Sequence, residues 1–524
     1  MRILYVSLLV MKKKYLLLAL SAVVATTASA DFITEMAKMN TLLKSINYLY
    51  VDSVDIHKIT EQSMRAILKD LDPHSSYLPA DELKQANEHL DGNFEGIGIQ
   101  FQILEDTLNV IQTIAGCPAQ KVGMQPNDKI IYVEDSLIAG NGVTNKTIQK
   151  LLRGPKGSIV NVRVLRAGDS ELLDFSITRD KIPLYTVDAG YMLDKTIGYI
   201  KINSFGAKTY SEFMDKWHEL KKKGAKKLVI DLQGNGGGYL NTAVQLADEL
   251  LSENQLVVYT EGAHQPRTDL FATSKGELEN IPVVILVDEY SASASEILSG
   301  AVQDWDRGMI IGRRTFGKGL VQRQYEMPDG SAIRLTTSRY YTPSGRCIQK
   351  PYKGVDYQKD LENRYKHGEF VSEDSIHFPD SLRYQTIVKQ RTVYGGGGIM
   401  PDIFVPADTT RYSQYYRKIV AKGIVNKICA KYLQDNRSEL LKKFPNITKY
   451  IANYSVPTSL ITDMIEQAAG AGIEYNEQQF SQSEKYIYLQ FKALIARDLW
   501  TMQEYYQVAN VENDALQKAI ESLE

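Results

Sequence analysis

The sequence has few cysteines and no excess of either charge. Its 524 residues include only three cysteines, Cys117, Cys347 and Cys429, which lie far apart and form no CxxC pair. Because structural metal sites need closely spaced ligands, we predict no metal site. Three cysteines can form no more than one disulfide. Lys and Arg number 61 against 63 Asp and Glu, with no concentrated basic block, so we expect no nucleic-acid partner.

The amino terminus has the order of a secretory signal peptide. Lys12–Lys14 precede an apolar run, Tyr15–Ala25, and Ala28–Ala30 then form a small-residue cleavage site. The run is too short to span a bilayer comfortably. We therefore expect residues 1–30 to be a signal peptide of an exported protein of the periplasm or cell envelope, with no permanent membrane span after cleavage. An uncleaved anchor stays open, since the residues before Met11, a second candidate start, are also apolar.

The rest of the chain falls into segments that differ in hydrophobic periodicity. Apolar residues at steps of three and four predict a helical segment over residues 31–92. Short alternating runs between turns predict a β-rich domain over 93–180, and strands alternating with helices predict an α/β core over 181–406. Within that core, the polar stretch 350–394 is a predicted surface insertion. Residues 407–524 are predicted to be helical, so the expected fold class is a multidomain α+β and α/β protein.

Three motifs carry residues suited to chemistry, and the first is YSASASE at residues 290–296, between a predicted buried strand and a helix. Small side chains allow close approach of a substrate backbone, and amides at a helix start can stabilise an oxyanion. The alternative is a helix cap, because Ser293 followed by Glu296 fits a capping box. From the residues alone, Ser291, Ser293 and Ser295 are equal candidates for a nucleophile.

The second motif, GRRTFGKG at residues 312–319, is similar to a nucleotide-binding P-loop but lacks two of its features. It ends in Gly319, where a P-loop has the Ser or Thr that binds magnesium, and Leu320–Tyr325 alternates like a strand where a helix is needed. Lys318 lies between two glycines and can therefore pack close to other backbone. Partial burial lowers the pKa of an amine, which can then accept a serine proton. The alternative is a solvated loop lysine.

The third motif is the glycine turn Gly234–Gly238, which follows a predicted buried strand and can present backbone amides to an anion. In their order and spacing, the three motifs resemble those of the carboxyl-terminal processing, or tail-specific, proteases. The resemblance runs from about Tyr50 to Pro406. Further matching segments are Leu71–Leu78, Phe94–Gly98, Leu151–Gly157 and Gly398–Asp402.

This resemblance implies a serine endopeptidase of the Ser/Lys type with a ClpP/crotonase-like α/β core and no metal or organic cofactor. Ser293 would be the nucleophile, Lys318 the general base and Gln322 the residue that orients the lysine amine. The backbone amides of Ala294 and Gly237 would meet the oxyanion.

The resemblance also implies that the β-rich domain is a PDZ domain, in which a peptide tail binds a carboxylate loop and extends a sheet edge. The helix Thr144–Leu152 would form the other wall of the groove. The expected partners are protein or peptide substrates with apolar carboxyl-terminal tails. The region after Pro406 is a candidate for covering the active site, holding a homo-oligomer or binding a regulatory adaptor. The predicted tail-binding residues are Gly96, Ile97, Gly98 and Ile99.

Two positions and two alternatives stay open. Asp304 matches a position that is often acidic in the family, and it either supports catalysis or is purely structural. Gln233 stands where the family usually has Arg, which puts in doubt a salt bridge that would anchor the glycine turn. The alternatives are a non-catalytic PDZ adaptor and a PDZ-bearing protease with a Ser/His/Asp triad, since triad partners are neighbours in space rather than in sequence.

Overall fold

The computed structural model describes residues 31–524, so the predicted signal peptide lies outside the described residues. The chain divides into two compact units. One comprises the residues up to Pro79 together with Gln324–Leu335, and the other comprises Ala80–Arg323 together with Thr336–Glu524. Over the described part of the chain, no helix has the length and apolarity needed to cross a membrane.

The first unit contains two helices and a short strand pair. Residues 31–49 are helical, and a second helix, Ile56–Leu71, follows. The carboxylate of Asp72 then accepts the N–H groups of the two residues that begin the next turn, at 2.8 Å each. This local capping ends the helix and leads into the strand Ser76–Leu78, which pairs antiparallel with Ala332–Arg334.

The second unit begins with the helix Ala80–Asp91, which leads into the β-rich domain. Alternate residues of its antiparallel sheet, such as Leu108 and Val110, point into a core that is closed by the helix Asn145–Leu152. A separate ribbon pairs Asn93–Gly96 with Asp180–Pro183. The strands of the sheet, in spatial order, are Ile99–Leu104, Thr107–Thr113, Lys129–Val133, Ile159–Leu165 and Leu173–Thr178, with Ser136–Leu137 paired to the third.

The α/β core is built on a six-stranded sheet that is covered on both faces. Only its first strand is antiparallel to its neighbour; the others run parallel. Such strands are buried on both sides and read as nearly continuous apolar runs, as Val283–Val287 does. In spatial order the strands are Val187–Met192, Ile197–Ile202, Lys227–Asp231, Val283–Val287, Met309–Gly312 and Ile403–Phe404.

Helices cover the two faces of this sheet. One face packs against the helices Thr209–Lys222, Leu240–Asp248 and Ala294–Asp304. The opposite face, which bears Val229, Val284 and Leu286, packs against Ala515, Leu516 and Ala519 of the helix Asp514–Leu523. The last helix of the chain is therefore part of the hydrophobic core of the α/β domain.

The chain also contains a second group of strands. Leu256–Gly262 and Gln265–Phe271 form a hairpin, and Leu320–Glu326 pairs with Ala332–Tyr341. The predicted insertion contains only short elements: the helix Asp360–Lys366, the ribbon of Arg383–Gln385 and Thr392–Tyr394, and the single helical turns Tyr357–Lys359, Glu373–Ser375 and Asp380–Leu382.

The carboxyl-terminal region is helical, and it packs around a hydrophobic cluster of its own. Polar contacts join it to the β-rich domain: Gln434 Nε2 donates to Asn109 Oδ1 at 2.7 Å and Gln112 Nε2 donates to the Trp500 carbonyl at 3.0 Å. The architecture confirms the predicted fold class. The helices that form this carboxyl-terminal region are Gln414–Ala421, Ile424–Lys443, Ile447–Asn453, Thr458–Gly470, Glu477–Leu499 and Met502–Ala509.

Candidate active site

The YSASASE motif forms the turn between the buried strand Val283–Val287 and the buried helix Ala294–Asp304. Ser293 is the residue directly before the helix, with φ 57° and ψ −113°. A non-glycine residue in such a conformation carries strain of about 1–3 kcal/mol, which persists only where the surroundings fix it. Strain of this kind is concentrated at functional sites, so the conformation singles out Ser293 for attention.

The structure separates the three serines that the sequence left equal. The Ser291 hydroxyl donates to the Leu232 carbonyl at 2.8 Å, and the Ser295 hydroxyl donates to the Asn235 carbonyl at 2.9 Å. Both serines are fully buried, and their hydroxyls tie this turn to the glycine turn. Ser293 is only half-buried. The geometry therefore favours Ser293 as the serine that a substrate can reach.

A single buried carboxylate holds the serine turn against the lysine loop. Glu296 Oε2 accepts the backbone N–H groups of Ser293 at 2.7 Å and of Lys318 at 2.9 Å. Its Oε1 accepts the Thr315 hydroxyl at 2.5 Å and the Gly317 amide at 2.7 Å. The contact with Ser293 is one that a capping box would make, but the contacts with the lysine loop were not foreseen from the sequence.

A tyrosine makes a second bridge between the same two residues. The Tyr340 hydroxyl lies 2.6 Å from the Lys318 carbonyl oxygen, to which it donates, and 3.1 Å from the Ser293 carbonyl oxygen. Tyr340 is fully buried on the strand Ala332–Tyr341. Ser293 and Lys318 are thus fixed to each other twice through their backbones, once through N–H groups and once through carbonyl groups.

The lysine loop depends on its glycines and on a second lysine. A Cβ at Gly317 would lie 3.1 Å from the Gly398 nitrogen, so the loop packs directly on neighbouring backbone, as the sequence led us to expect. Lys350 donates its N–H to the Gly317 carbonyl at 3.0 Å, and its amine lies 2.7 Å from Asp360 Oδ2. Burial lowers the pKa of the Lys350 amine. Lys350 is therefore a buried amine beside the loop that is already paired with a carboxylate.

Gln322 lies on the strand Leu320–Glu326, which leaves the lysine loop. Its Nε2 donates to the Thr336 hydroxyl at 3.2 Å. Its expected role in orienting the Lys318 amine stays a prediction.

The glycine turn meets the serine turn at close range. A Cβ at Gly237, where φ is +100°, would lie 2.8 Å from the Ser293 Cβ and 3.0 Å from the Ala294 nitrogen, so only glycine fits. The Gly237 N–H, however, donates to Asn235 Oδ1 at 2.8 Å. The Gly237 amide that we expected to meet the oxyanion is therefore engaged in this conformation, and it can serve that role only if this hydrogen bond opens.

The glycine turn is anchored without an arginine at position 233. The buried Lys201 amine lies 3.1 Å from Asp231 Oδ1 and also donates to the Gln233 carbonyl. The Tyr199 hydroxyl donates to the other Asp231 oxygen at 2.6 Å, and Gln233 Oε1 accepts from Asn513 Nδ2 at 3.0 Å. The missing salt bridge is thus replaced by a cation from a neighbouring strand.

Asp304 is fully buried at the opposite end of the helix from Ser293. Over eleven helical residues, a rise of about 1.5 Å per residue separates the two ends by about 15 Å. Asp304 Oδ1 forms a buried ion pair of 2.7 Å with Arg346, without hydrogen-bond geometry, and Oδ2 accepts the Ser344 N–H at 2.9 Å. This placement favours the structural role over the catalytic one.

The hydrogen bonds described for Ser293 are made by its backbone N–H and carbonyl groups. Within residues 31–524, those described for Ser293 lead to Glu296, Ile297 and Tyr340, and none of them leads to a histidine. His218 instead lies 3.3 Å from Glu277 on the surface. These bonds do not involve the Ser293 hydroxyl, so the Ser/His/Asp triad stays an alternative prediction.

The predicted tail-binding loop has its carbonyl groups turned into the domain. The Ile97 carbonyl accepts the Ala119 N–H and the Gly98 carbonyl accepts the Ile114 N–H, both at 2.9 Å. Gly98 has φ +80°, and a Cβ there would lie 2.4 Å from the Cys117 Cβ. Gly96 ends the ribbon strand, and Ile99 begins the edge strand of the sheet, the position at which an added peptide strand can pair.

The buried carboxyl of Glu296 is expected to make both the stability and the activity of the protein depend on pH. Burial raises the pKa of its carboxyl from 4.5 to about 7, against the opposing effect of its four hydrogen bonds. Because the folded-state pKa is the higher one, ionisation opposes folding, and the free energy of unfolding falls as the pH rises from about 4.5 to about 7. All four groups that contact the Glu296 carboxyl donate hydrogen bonds to it, and only the ionised carboxylate can accept all four. We therefore expect activity to rise over the upper part of that pH range.

We expect Glu296→Gln to lower kcat/KM by about a hundredfold. The amide nitrogen would face two donors, leaving buried N–H groups unpaired at about 1–3 kcal/mol each, and the serine and lysine turns would separate. Peptide cleavage measured between pH 5 and 9 tests this. Glu249→Gln is the matched control: Glu249 is also buried and accepts the Tyr210 hydroxyl at 2.6 Å, and it should keep full cleavage. Equal activity of the two variants would contradict the bridging role.

Comparison with known sequence families agrees with this geometry. Residues 196–360 match peptidase family S41, and residues 96–178 match the PDZ domain. Residues 415–501 match a family of unknown function, DUF8443. The chain is accordingly a serine-type peptidase that carries a PDZ domain.

Individual relatives extend the match over most of the chain. The chain is 34% identical to the carboxy-terminal processing protease CtpB of Bacillus subtilis, over 64% of this chain and 70% of that protein. It is 31% identical to the carboxy-terminal-processing protease of Bartonella bacilliformis, over 75% and 89% respectively. Among solved structures, the photosystem II D1 C-terminal processing protease is 24% identical, covering 70% of this chain and 92% of that one, with a TM-score of 0.35. The chain belongs to the carboxy-terminal processing protease family.

Proposed function

We propose that the chain is an endopeptidase of the Ser/Lys type, with Ser293 as nucleophile and Lys318 as general base. The observation that carries the proposal is the double bridge of Glu296 and Tyr340, which binds the backbones of both residues. A helix start at Ala294 offers an amide and the positive end of the helix dipole to a developing oxyanion. Asp304 has no part in the chemistry.

In this proposal the Ser293 oxygen attacks the peptide carbonyl carbon while the Lys318 amine accepts the hydroxyl proton. The lysine then returns the proton to the leaving amine as the carbon–nitrogen bond breaks, which leaves an acyl ester on Ser293. Water, deprotonated by the same lysine, attacks the ester carbonyl carbon, and the lysine returns that proton to the Ser293 oxygen as the carbon–oxygen bond breaks. Gln322 orients the lysine amine, and no metal or organic cofactor takes part.

The proposal includes recognition of substrates by their carboxyl-terminal tails. The loop from Gly96 to Ile99 holds the terminal carboxylate, and the edge strand Ile99–Leu104 pairs with the peptide backbone. Side chains of this strand are mostly half-buried, which suits tails with apolar residues. The order of residues at the amino terminus supports export to the periplasm or cell envelope, where such substrates would be met.

Substitution at Gly98 tests tail recognition. Gly98→Ala would drive a Cβ into Cys117 and strain the backbone at φ +80°, so we expect the affinity for an apolar tail peptide to fall at least tenfold. Gly116→Ala is the matched control, because φ there is +72° but a Cβ meets nothing within 4 Å. Fluorescence anisotropy with a labelled peptide measures both variants, and cleavage of an unfolded reporter bearing the same tail is measured in parallel.

Amidation of the peptide's carboxyl terminus should weaken binding to the unmodified protein as much as Gly98→Ala does. Tight binding of the amidated peptide, or unchanged affinity of Gly98→Ala, would refute tail recognition at this loop. Binding without any turnover of the reporter would instead favour a non-catalytic adaptor.

A further inference from the structure

A cavity of about 780 Å³ lies in the second unit, at the carboxyl ends of the strands of the six-stranded sheet. Asp231 and Asp288 form its wall on the sheet side, Phe370 of the insertion forms another part, and Tyr412 and Tyr505 of the helical region close it. The carboxyl edge of a parallel sheet is where α/β proteins bind ligands, and the volume is within the range of ligand sites.

Most of the charged side chains of this cavity pair with a side chain of opposite charge, whereas the buried Asp288 accepts the backbone N–H groups of Gly234, Tyr290 and Ser291. Lys201 pairs with Asp231 at 3.1 Å, Arg313 with Glu289 at 2.7 Å, and Arg411 with both Asp408 and Asp514. Another cation of the lining, Arg417, is exposed and donates through Nε to the Tyr412 carbonyl at 3.1 Å. An anionic ligand such as a phosphate would have to compete with these carboxylates, so the wall does not favour an anion.

Tyrosines supply much of the remaining wall. Tyr412 stacks on Tyr416 with ring centroids 5.0 Å apart and meets the edge of Tyr486 at 5.4 Å. Tyr505 and Tyr506 lie 5.4 Å apart on the neighbouring helix. Tyrosine offers a rigid apolar face with one hydroxyl, a combination that suits ligands in which apolar groups alternate with hydrogen-bonding groups. An extended polypeptide has that composition.

The cavity reaches the chain segments that lead into the two turns of the candidate active site. Tyr290, which lines it, stands three residues before Ser293 in the chain. Gln233 and Gly234, at the start of the glycine turn, line it as well, and Gln233 is held by Asn513 of the last helix at 3.0 Å. A ligand in the cavity would therefore contact segments that lead into both turns.

We propose that this cavity binds an extended segment of the polypeptide substrate. The segment lies against the Tyr412 and Tyr505 clusters and is bound in addition to the tail. This proposal rests on the proposed proteolytic function, and it assigns a substrate-binding role to the carboxyl-terminal helical region.

Photo-crosslinking in the full chain tests the proposal without turnover. In the Ser293→Ala protein, p-benzoylphenylalanine replaces Tyr412, which is 40% exposed. The probe is reduced, carboxamidomethylated α-lactalbumin, an unfolded polypeptide. We expect an adduct at position 412 that an excess of unlabelled unfolded protein suppresses. The matched control carries the same residue at Tyr475, which is 46% exposed on the same helical region and does not line the cavity; it should give at most a tenth of the adduct.

Kinetics with the active protein give a second readout. Tyr412→Ala should raise KM for the unfolded protein about tenfold with kcat unchanged, whereas Tyr475→Ala should change neither. Equal adducts at both positions, no adduct at position 412, or suppression by inorganic phosphate rather than by polypeptide would overturn the proposal. An adduct at position 412, together with no cleavage by the protein that retains Ser293, would refute the proteolytic function and leave the peptide cavity standing.

Discussion

Replacing Ser293 by alanine is expected to abolish cleavage of an unfolded protein substrate and to leave the thermal unfolding midpoint within a few degrees of the parent's. Loss of the nucleophile in a serine protease lowers kcat by about 10⁶-fold, to a level that a gel-based assay does not detect. Ser293 is half-buried and strained, so removing its hydroxyl takes away no core packing. Cleavage followed by mass spectrometry, together with calorimetry, measures both quantities.

Ser295→Ala is the matched control for this experiment. It makes the same chemical change two residues away, at a hydroxyl that donates to the Asn235 carbonyl. That carbonyl also accepts the Ala292 N–H at 3.0 Å, so one partner remains, and the expected cost is about 0.5–1.5 kcal/mol of stability with cleavage retained. Cleavage that survives Ser293→Ala, or that is lost only in Ser295→Ala, would show that the nucleophile has been misassigned.

Lys318→Met is expected to lower kcat by about 10²–10⁴-fold with little change in KM. Methionine keeps much of the side-chain length but cannot accept a proton, and general-base catalysis contributes that factor. Lys318→Arg should be equally inactive, because a guanidinium retains the charge but is not deprotonated in proteins. The two variants together separate proton transfer from simple electrostatic stabilisation. Initial rates between pH 6 and 10 supply the measurement.

Lys350→Met serves as the control for the lysine. Lys350 is also buried beside the loop, but its amine is paired with Asp360 and lies 3.6 Å from the centre of the Phe316 ring. Its replacement should lower stability and leave most of the cleavage activity. If Lys350→Met were inactive and Lys318→Met active, the base would be Lys350. If both remained active, the base would have to be a residue of another type.

Periodicity in the sequence predicted the elements, while contacts distant in sequence decided the details of the site. The serine, lysine and glycine motifs were assigned to one site because their order and spacing resemble those of a known protease family, not because of their periodicity. Among Ser291, Ser293 and Ser295, however, the choice depends on which hydroxyls reach Leu232 and Asn235, and spacing along the chain does not reveal that. Tyr340 carries no local signal, since an alternating strand would show the same pattern with any large residue.

The same limit applies to the anchor of the glycine turn. The absence of an arginine at Gln233 was visible in the sequence, but its replacement, Lys201, comes from an adjacent strand whose neighbour is set by sheet order. Likewise, the helix Asp514–Leu523 was predictable from its period, whereas its burial against Val229 and Val284 was not. Periodicity predicts an apolar face and leaves open which surface covers it.

The position of the helix Asp514–Leu523 has a consequence for how the protein is made. Ribosomes synthesise a chain from its amino end, and domains generally fold as units during or after synthesis. One face of the sheet that supports the serine and glycine turns stays without its cover until residues 514–523 have been added. A partly synthesised chain can therefore contain Ser293 and Lys318 and still lack a closed core beneath them, so we expect proteolytic capacity only after the helix Asp514–Leu523 has been made.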